Sequence, residues 1–389
     1  MTLPFSSLTG RLATPQSDVW RVHDEAVSRQ ARGEDVILLS VGDPDFPTPP
    51  YITDHAMARI REGRTHYSPV AGEPVLRAAL AEVETRATGR RFDPAQFVVF
   101  PGATATLYAV FACLLDPRDE VVIAEPMYAA YRPLLDAIGA RIRSVPLVAP
   151  DFALDPEILF AAITPKTRAL LVNTPGNPCG NIIPGASLRL LADVCRARDI
   201  WLVCDEVYSL ITFDAPHVSL LRSTEALDNV VVVDGLSKSH AMSGWRVGWA
   251  VAPADLAAAL TRLASAAFFG CSQFVQDAAA YALMHDAPDV AAMRREYRTR
   301  RDFVIQRLDR MPELGYCRPQ GGMFIMLDAH RVADDGDAFA ARLLAQAGVS
   351  TLPGRAFGDS ASSYVRLSLT QPLPVLARAC DRIEAMLRR

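Results

Sequence analysis

Short apolar runs alternate with segments of helical periodicity through the middle of this chain. The apolar runs are continuous, which predicts strands covered on both faces, as in a parallel sheet. The predicted strands are 96–100, 120–124, 141–146, 169–172, 200–204, 230–233 and 247–251. The helical segments between them include 104–115, 127–138 and 187–198. Together these elements predict an α/β fold, a three-layer sandwich with a mostly parallel sheet.

The rest of the chain predicts a second, smaller α+β domain, because 389 residues exceed one ordinary core. A helical segment from about residue 275 and the charged stretch 293–310 indicate a connecting helix, and 321–327 and 364–369 have the pattern of strands. The Pro-rich segment 43–50 predicts a crossing between the domains. The expected division is an N-terminal segment 1–45 that packs with the small domain, a large domain 46–286 and a small domain 287–389.

Composition and charge argue against several classes of function. Lys and Arg number 40 against 44 Asp and Glu, a net charge of −4, so nothing indicates a nucleic acid or membrane partner. The seven cysteines have no CxxC spacing, which favours a reduced, cytoplasmic location and argues against a metal centre. The first residues lack a signal-peptide pattern, and no apolar run has the length of a membrane span.

The segment 234–249 carries the most informative chemistry. Lys238 comes soon after the predicted strand 230–233, and Arg246 follows at a short distance with small and hydroxylated residues between. A strand that ends in a cleft would deliver the Lys238 amine to a carbonyl group, and a nearby guanidinium suits a phosphate. Pyridoxal 5'-phosphate (PLP), an aldehyde that bears a phosphate, is the matching cofactor. Taken alone, a surface lysine in a solvated loop is the alternative.

Two further strand ends offer contacts for the phosphate and the ring of such a cofactor. After the first predicted strand, Gly102 allows close backbone approach, and the amides of Ala103 and Thr104 begin a helix that favours an anion. After the second, Tyr128 is placed to stack on the pyridine ring, for roughly 0.5–1.5 kcal/mol beyond area burial. The alternatives are an ordinary glycine-led helix start and a core tyrosine with a satisfied hydroxyl.

Two more strand ends carry an amide and a carboxylate. Asn177 lies in 173–180, where two prolines and two glycines fix the loop and aim the amide at one point. Asp205 follows the strand 200–204; a buried carboxylate there must be paired or protonated, and a pyridinium N–H would pair it. Tyr208 comes soon after and would reach the ring oxygen together with Asn177. A helix N-cap is the alternative role for Asp205.

These features together resemble the PLP-dependent aminotransferases of fold type I, the aspartate-aminotransferase-like class. The resemblance runs from 41–46, Val-Gly-Asp-Pro-Asp-Phe, to 364–366, Tyr-Val-Arg, and so covers nearly the whole chain. It implies a large PLP-binding domain with a smaller domain beside it. It also implies transfer of the amino group of an L-amino acid to a 2-oxo acid with ping-pong kinetics.

The resemblance implies a role for each residue of the cofactor site. Lys238 would hold PLP as a Schiff base and, once released, would act as the general base with a lowered pKa. Asp205 would pair with the pyridine nitrogen. The ring and phosphate contacts would be Asn177, Tyr208, Tyr128, Gly102, Ala103, Thr104, Ser237 and Arg246. Members often carry a serine where this chain has Gly235, so one phosphate hydroxyl would be absent or replaced by water.

Substrate and subunit contacts follow from the same resemblance. Arg366 would bind the substrate α-carboxylate through two hydrogen bonds, helped by Asn177 and the backbone at Gly42. Tyr67 would reach the phosphate of the neighbouring subunit, which implies a homodimer with shared sites. Several segments look most like arginine–pyruvate transaminases, which suggests arginine as the donor and pyruvate as the acceptor.

Contacts to the substrate side chain are predicted only from a rough alignment. Trp20 falls where the N-terminal segment approaches that side chain, and Asp18, His23 and Asp45 are polar neighbours. A guanidinium would need an acidic partner, because a buried unpaired cation is costly. Asp18 is the chosen candidate, and the alternative is that Asp18 caps the first helix.

Other activities are weighed against transamination. A PLP enzyme of the same fold that catalyses elimination or oxidation of an amino acid would share the cofactor motifs. A PLP-sensing transcription regulator is disfavoured because no helix-turn-helix pattern precedes the fold. A nicotinamide dehydrogenase is disfavoured because no GxGxxG follows the first strand.

Overall fold

A computed structural model describes residues 5–13, 19–285 and 288–388 of the chain. The strands are β1 Ile37–Leu38, β2 Phe97–Phe100, β3 Glu120–Glu125, β4 Arg141–Pro146, β5 Thr167–Asn173, β6 Trp201–Asp205, β7 Val230–Gly235, β8 Gly248–Val251, β9 Gly315–Cys317, β10 Phe324–Asp328, β11 Val349–Ser350, β12 Leu352–Pro353 and β13 Tyr364–Ser368. The α-helices are α1 Ser7–Leu12, α2 Arg21–Ala31, α3 Pro50–Arg61, α4 Pro74–Thr88, α5 Ala103–Leu114, α6 Tyr131–Ile138, α7 Pro156–Ala161, α8 Gly185–Ala197, α9 Leu220–Ser223, α10 Ala254–Ala267, α11 Gln273–Met284, α12 Pro288–Leu308, α13 Gly336–Arg342 and α14 Leu373–Leu387.

The larger sheet is mostly parallel, as predicted. Its strands, within the described ranges, run in the order β2-β8-β7-β6-β5-β3-β4. Strand β8 is antiparallel to both of its neighbours, and the other pairs are parallel. The carboxyl ends of β3, β5, β6 and β7 therefore meet at one edge, which is where an open α/β sheet binds its ligands.

Helices cover both faces of this sheet, because successive strand residues point to opposite sides. Leu170 of β5 is buried in a core that includes Leu188 of α8. The next residue, Leu171, is buried in a different core with Val110 of α5 and Leu260 of α10. The result is the predicted three-layer sandwich.

A glycine sets the start of the helix that faces the sheet edge. Gly102 precedes α5 with φ +93°, a conformation that residues with a Cβ rarely adopt. This turn brings the chain directly from β2 into α5, so the first amides of the helix lie at the ligand-binding edge.

A smaller antiparallel sheet lies C-terminal to the large one, in the order β12-β13-β10-β9. The N-terminal region contacts this part of the chain. Strand β1 pairs in parallel with β11, and Val22 of α2 shares a core with Ile325 of β10. The predicted domain limits at residues 45 and 286 stay predictions.

The structure moves the limits of two predicted helices. The helix expected over 127–138 begins at Tyr131, and residues 127–130 form coil and a turn. The connecting helix is α12, which starts five residues before the predicted stretch. None of the helices in the described ranges combines the length and apolarity needed to cross a membrane.

Candidate active site

Lys238 lies just beyond the end of β7 and points into the molecule. Its Nζ donates a 2.8 Å hydrogen bond to the carbonyl oxygen of Gly42, so it is not a solvated loop lysine. Burial lowers the pKa of the amine. The carboxylate of Asp43 raises it, Arg366 and Arg246 lower it, and the net shift is downward. This amine is therefore more easily deprotonated than an exposed lysine.

Asp205 ends the neighbouring strand and is buried. Its Oδ2 accepts a 2.7 Å hydrogen bond from the hydroxyl of Tyr131, and its Oδ1 accepts one from the Val207 amide at 3.3 Å. Burial raises the pKa of this carboxyl group to about 6, although both hydrogen bonds lower it. Residues 207–210 form a turn and not a helix, so the N-cap role does not apply.

The loop after β5 joins the carboxylate to a buried arginine. The Asn173 side chain donates to the Asp205 carbonyl oxygen at 2.9 Å and accepts from the Asn177 amide at 2.7 Å. The Asn177 Oδ1 then accepts a 2.9 Å hydrogen bond from Arg366. Tyr208 forms a hydrogen bond with the Asn177 side chain. Burial raises the pKa of its phenol, and the hydrogen bond to Asn177 lowers it. Asn177 is therefore bonded to Asn173 of the large sheet and to Arg366 of the small sheet.

Arg366 is a buried cation whose hydrogen-bond partners, among the described residues, carry no charge. It lies in β13, is 3% exposed and donates a second hydrogen bond to the Ser40 carbonyl oxygen at 3.0 Å. Its guanidinium carbon lies 3.9 Å from the ring centre of Phe324 and 4.9 Å from that of Phe357. Within the described ranges it forms no ion pair, and its Nε has no hydrogen-bond partner. Burial lowers the pKa of the guanidinium to about 10, which leaves it charged at neutral pH.

Tyr128 lies between these groups on the turn before α6. Its ring meets that of Tyr131 edge to face at 5.4 Å. Burial raises the pKa of its hydroxyl, and the charges of Arg366, Asp205 and Arg246 all act on it. Tyr128 also lines a small, mostly apolar cavity of about 60 Å³.

The amino end of α5 and Arg246 form a cationic cradle. A Cβ placed on Gly102 would come within 2.5 Å of the Arg246 Nη2, so only glycine allows this approach. The backbone amides of Ala103 and Thr104 lie in the first turn of α5 and have no partner within the helix. Arg246 is exposed and has φ +56°. Its guanidinium is fixed by donation to the Ser243 carbonyl oxygen at 2.8 Å.

The structure gives a physical reason for Gly235. This residue pairs with Gly248 across β7 and β8. A Cβ on Gly235 would lie 2.9 Å from the Val247 carbonyl oxygen, so a serine does not fit between these strands. Ser237, which is half-buried beside Lys238, is the nearest hydroxyl along the chain.

The predicted substrate and subunit contacts are more dispersed. Tyr67 is 82% exposed and meets the 56% exposed Phe269 edge to face at 5.0 Å. Trp20 lies at the start of α2 with its ring 5.7 Å from that of His23. His23 and Ser40 share a 2.8 Å hydrogen bond. Asp18 lies outside the described residues.

Comparison with known proteins decides the family. The family model "Aminotransferase class I and II" matches residues 34–383. The arginine–pyruvate transaminase AruH of Pseudomonas aeruginosa is 45% identical over 380 residues, 97% of each chain. This chain belongs to the class I and II aminotransferases.

Solved structures agree with that family. A single mutant of the Thermus thermophilus aspartate aminotransferase superposes with a TM-score of 0.94 at 32% identity, over 99% of this chain and 100% of the other. The aspartate aminotransferase of Geobacillus stearothermophilus is 36% identical over 93% of this chain and 94% of its own. The expected fold type I architecture is thereby confirmed, and so are the aminotransferase activity and the PLP cofactor.

The site of this aminotransferase fits PLP and an amino acid in charge. PLP brings a phosphate, which matches the cradle at Gly102 and Arg246. The substrate brings a carboxylate, which matches the buried, unpaired cation of Arg366. The buried Asp205 lacks a cationic partner among the described residues, and a pyridinium would supply one.

Several contributors to this aminotransferase site were missed at the level of sequence. Tyr131 holds Asp205, Asn173 links two strand ends, and Ser40 accepts from the buried arginine. Phe324 and Phe357 stack against that arginine. Only Tyr131 offered a signal, since it comes three residues after the predicted stacking tyrosine and would share its side of a helix.

Proposed function

We propose that this aminotransferase takes the amino group of L-arginine and passes it to pyruvate or a similar 2-oxo acid. The observation that carries the general reaction is the buried Arg366 cation, unpaired among the described residues, close to the Lys238 amine. The choice of arginine and pyruvate is supported by the 45% identity to a transaminase of that name.

Lys238 acts as the proton carrier of the reaction. PLP, when bound, supplies an aldehyde that takes up the amino group and a ring that accepts the electrons released at the substrate Cα. The Lys238 amine removes the Cα proton, and burial together with Arg366 and Arg246 keeps part of it neutral for this purpose. Asp205 would pair with the protonated pyridine nitrogen, and Tyr131 fixes the orientation of its carboxylate.

Arg366 orients the substrate. Its guanidinium binds the α-carboxylate, with Asn177 and the backbone at Gly42 beside it. The Phe324 and Phe357 rings hold the guanidinium plane, each worth about 0.5–2 kcal/mol by cation–π attraction. A carboxylate fixed in this way sets which Cα bond stands perpendicular to the ring, and so favours loss of the proton.

The remaining residues hold the cofactor in place. Tyr128 would stack on the ring, and Tyr208 and Asn177 would donate hydrogen bonds to its oxygen. The phosphate would be held by Gly102, Ala103, Thr104, Ser237 and Arg246.

A homodimer completes the site in this proposal. Tyr67 and Phe269 are large aromatic residues that stay exposed in the single chain, and they lie together beside an open cavity of about 430 Å³. Exposed aromatic pairs of this kind are typical of interfaces. In the dimer, Tyr67 reaches the phosphate of the partner subunit. The scattered free cysteines support a reduced, cytoplasmic location.

The chain itself allows a sharp test, because it holds two lysines, Lys166 and Lys238. Borohydride fixes PLP covalently on the lysine that carries it, and peptide mapping then identifies that lysine. We expect the label on Lys238 in the wild type and in a Lys166→Ala control, which also keeps full activity. Lys238→Ala should lose the label and all multiple turnover. A label on Lys166, or normal turnover by Lys238→Ala without added amine, would refute the proposal.

A further inference from the structure

One exposed carboxylate beside the site, that of Asp43, has no role in the proposed reaction. Asp43 directly follows Gly42, the residue whose carbonyl oxygen bonds the catalytic amine. Its side chain is exposed, and within the described ranges it forms no hydrogen bond or ion pair. Of the charged groups that act on Lys238, Asp43 has the largest effect on the pKa of the amine.

The backbone around Asp43 is anchored on both sides. On one side, the Val41 carbonyl oxygen accepts a 3.2 Å hydrogen bond from Thr370. On the other, Asp45 forms a 2.7 Å ion pair with Arg300. Pro44 comes between and restricts Asp43 to extended backbone. The backbone that carries this carboxylate is therefore fixed on both sides, next to the residue that bonds the amine.

Asp43 opposes the chemistry that Lys238 performs. A carboxylate beside an amine stabilises the ammonium form and so disfavours the neutral base. Burial and two arginines together lower the pKa of the amine more than Asp43 raises it. Asp43 nevertheless favours the ammonium form until a positive partner neutralises its charge. A fixed, unpaired anion that hinders the base is best explained by a positive partner that arrives with the substrate.

The other carboxylates that could pair with a cationic substrate already have partners in the protein. The Asp45 carboxylate is paired with Arg300, which also lies over the ring of Phe46. Asp205 is buried and bonded to Tyr131. Of these described carboxylates at the site, Asp43 is the one without a hydrogen-bond or ion-pair partner.

We propose that Asp43 selects basic donors by pairing with the cationic end of the substrate side chain, the guanidinium of arginine. This inference rests on the proposed function. The Gly42 carbonyl oxygen lies 2.8 Å from the Lys238 amine, so the next residue, Asp43, lies within reach of the side chain of a substrate whose Cα is held beside that amine. A bound guanidinium also cancels the charge that hinders Lys238, so a basic donor assists its own deprotonation.

A binding experiment tests the pairing without turnover. The probe is 5-guanidinopentanoate, which is arginine without its amino group, and the neutral probe of the same shape is 7-methyloctanoate. Calorimetry on the PLP-loaded enzyme should show that Asp43→Asn binds the guanidino acid about 10-fold more weakly, with less salt dependence, and the neutral acid within about twofold. Asp193→Asn, which removes an exposed carboxylate from α8, should change neither.

Kinetics with two donors separate this inference from the proposed function. Asp43→Asn should lower kcat/KM for L-arginine about 10-fold and leave that for L-norleucine within about twofold. With norleucine, the acid limb of kcat should move to lower pH in the variant, because the amine loses its neighbouring anion. Equal losses for both donors, or unchanged binding of the guanidino acid, would overturn the inference. Failure of the wild type with every amino acid would instead overturn the proposed function.

Discussion

The two ends of the active site are built differently. The proposed cofactor floor, made of Asp205, Lys238 and Asn177, lies at or just beyond strand ends. Its side chains are at least half-buried and are bonded to helix α6, to the coil at Gly42 and to strand β13. The proposed substrate lip, made of Trp20 and Asp43, lies on coil and at a helix start, and both residues are exposed. The strand ends therefore fix where the proposed cofactor contacts lie. The lip can change with little cost to the fold.

The two regions also differ in how charge is balanced. In the floor, Asp205 and the neighbouring Arg366 are buried ions whose direct partners are neutral, so each gains a counter-ion only when cofactor or substrate binds. In the lip, Asp43 faces water, which already solvates it. Loss of a floor charge should therefore affect every donor, whereas loss of a lip charge should affect only donors of opposite charge.

Apart from the complete loss of turnover expected for Lys238→Ala, the largest effect is expected from Asp205→Asn. The variant keeps the shape and the Tyr131 contact but removes the anion that holds a proton on the pyridine nitrogen. We expect kcat to fall by about 10³-fold for arginine and norleucine alike. Steady-state kinetics with both donors measure this, with Asp193→Asn as the matched control. A loss confined to one donor would contradict the division between floor and lip.

A smaller but still general loss is expected from Arg366→Lys. An ammonium keeps the charge but cannot make two parallel hydrogen bonds or lie flat between Phe324 and Phe357. We expect kcat/KM to drop by about 10–100-fold for all donors, since a hydrogen bond to a charged group is worth about 1.5–3 kcal/mol. PLP affinity should stay within about twofold. An unchanged kcat/KM would show that the carboxylate binds elsewhere.

The sequence could place the floor residues at one edge of the sheet because the signals there are local. Strands β5, β6 and β7 are continuous apolar runs, and a polar residue at or near the end of each has few roles other than ligand binding. Asn177 and Asp205 could be placed at the same edge from this pattern alone. The parallel order of the strands then brings them together.

Sequence reasoning failed where contacts are distant along the chain or a helix limit moved. Ser40 bonds Arg366 across 326 positions, and no periodicity indicates that pair. Tyr131 was expected four residues inside a helix, but α6 begins with it, and this start orients its hydroxyl toward Asp205. Asp45 was an acidic candidate for the lip, but its carboxylate is paired with Arg300. Asp43, two residues earlier, was not among the candidates.

A different kind of effect concerns the stability of the cofactor-free protein. Burial raises the pKa of Asp205 from 3.8 to about 6, so the folded state binds this proton more tightly than the unfolded state. The unfolding free energy of the cofactor-free protein should therefore fall by about 3 kcal/mol as pH rises from below 4 to above 6, at 1.36 kcal/mol per pKa unit.

Tyr131→Phe should enlarge this pH dependence of the unfolding free energy. The hydroxyl of Tyr131 lowers the pKa of Asp205, so its removal raises that pKa further and extends the loss of stability to higher pH. Urea unfolding at pH 5 and pH 8 should show a difference larger than in wild type by about 1–2 kcal/mol. In the PLP-loaded enzyme a pyridinium stabilises the carboxylate, and the extra pH dependence should disappear. Asp193→Asn changes an exposed group on α8 and should leave both profiles unaltered, so a shift there would mean that the pH dependence does not come from Asp205.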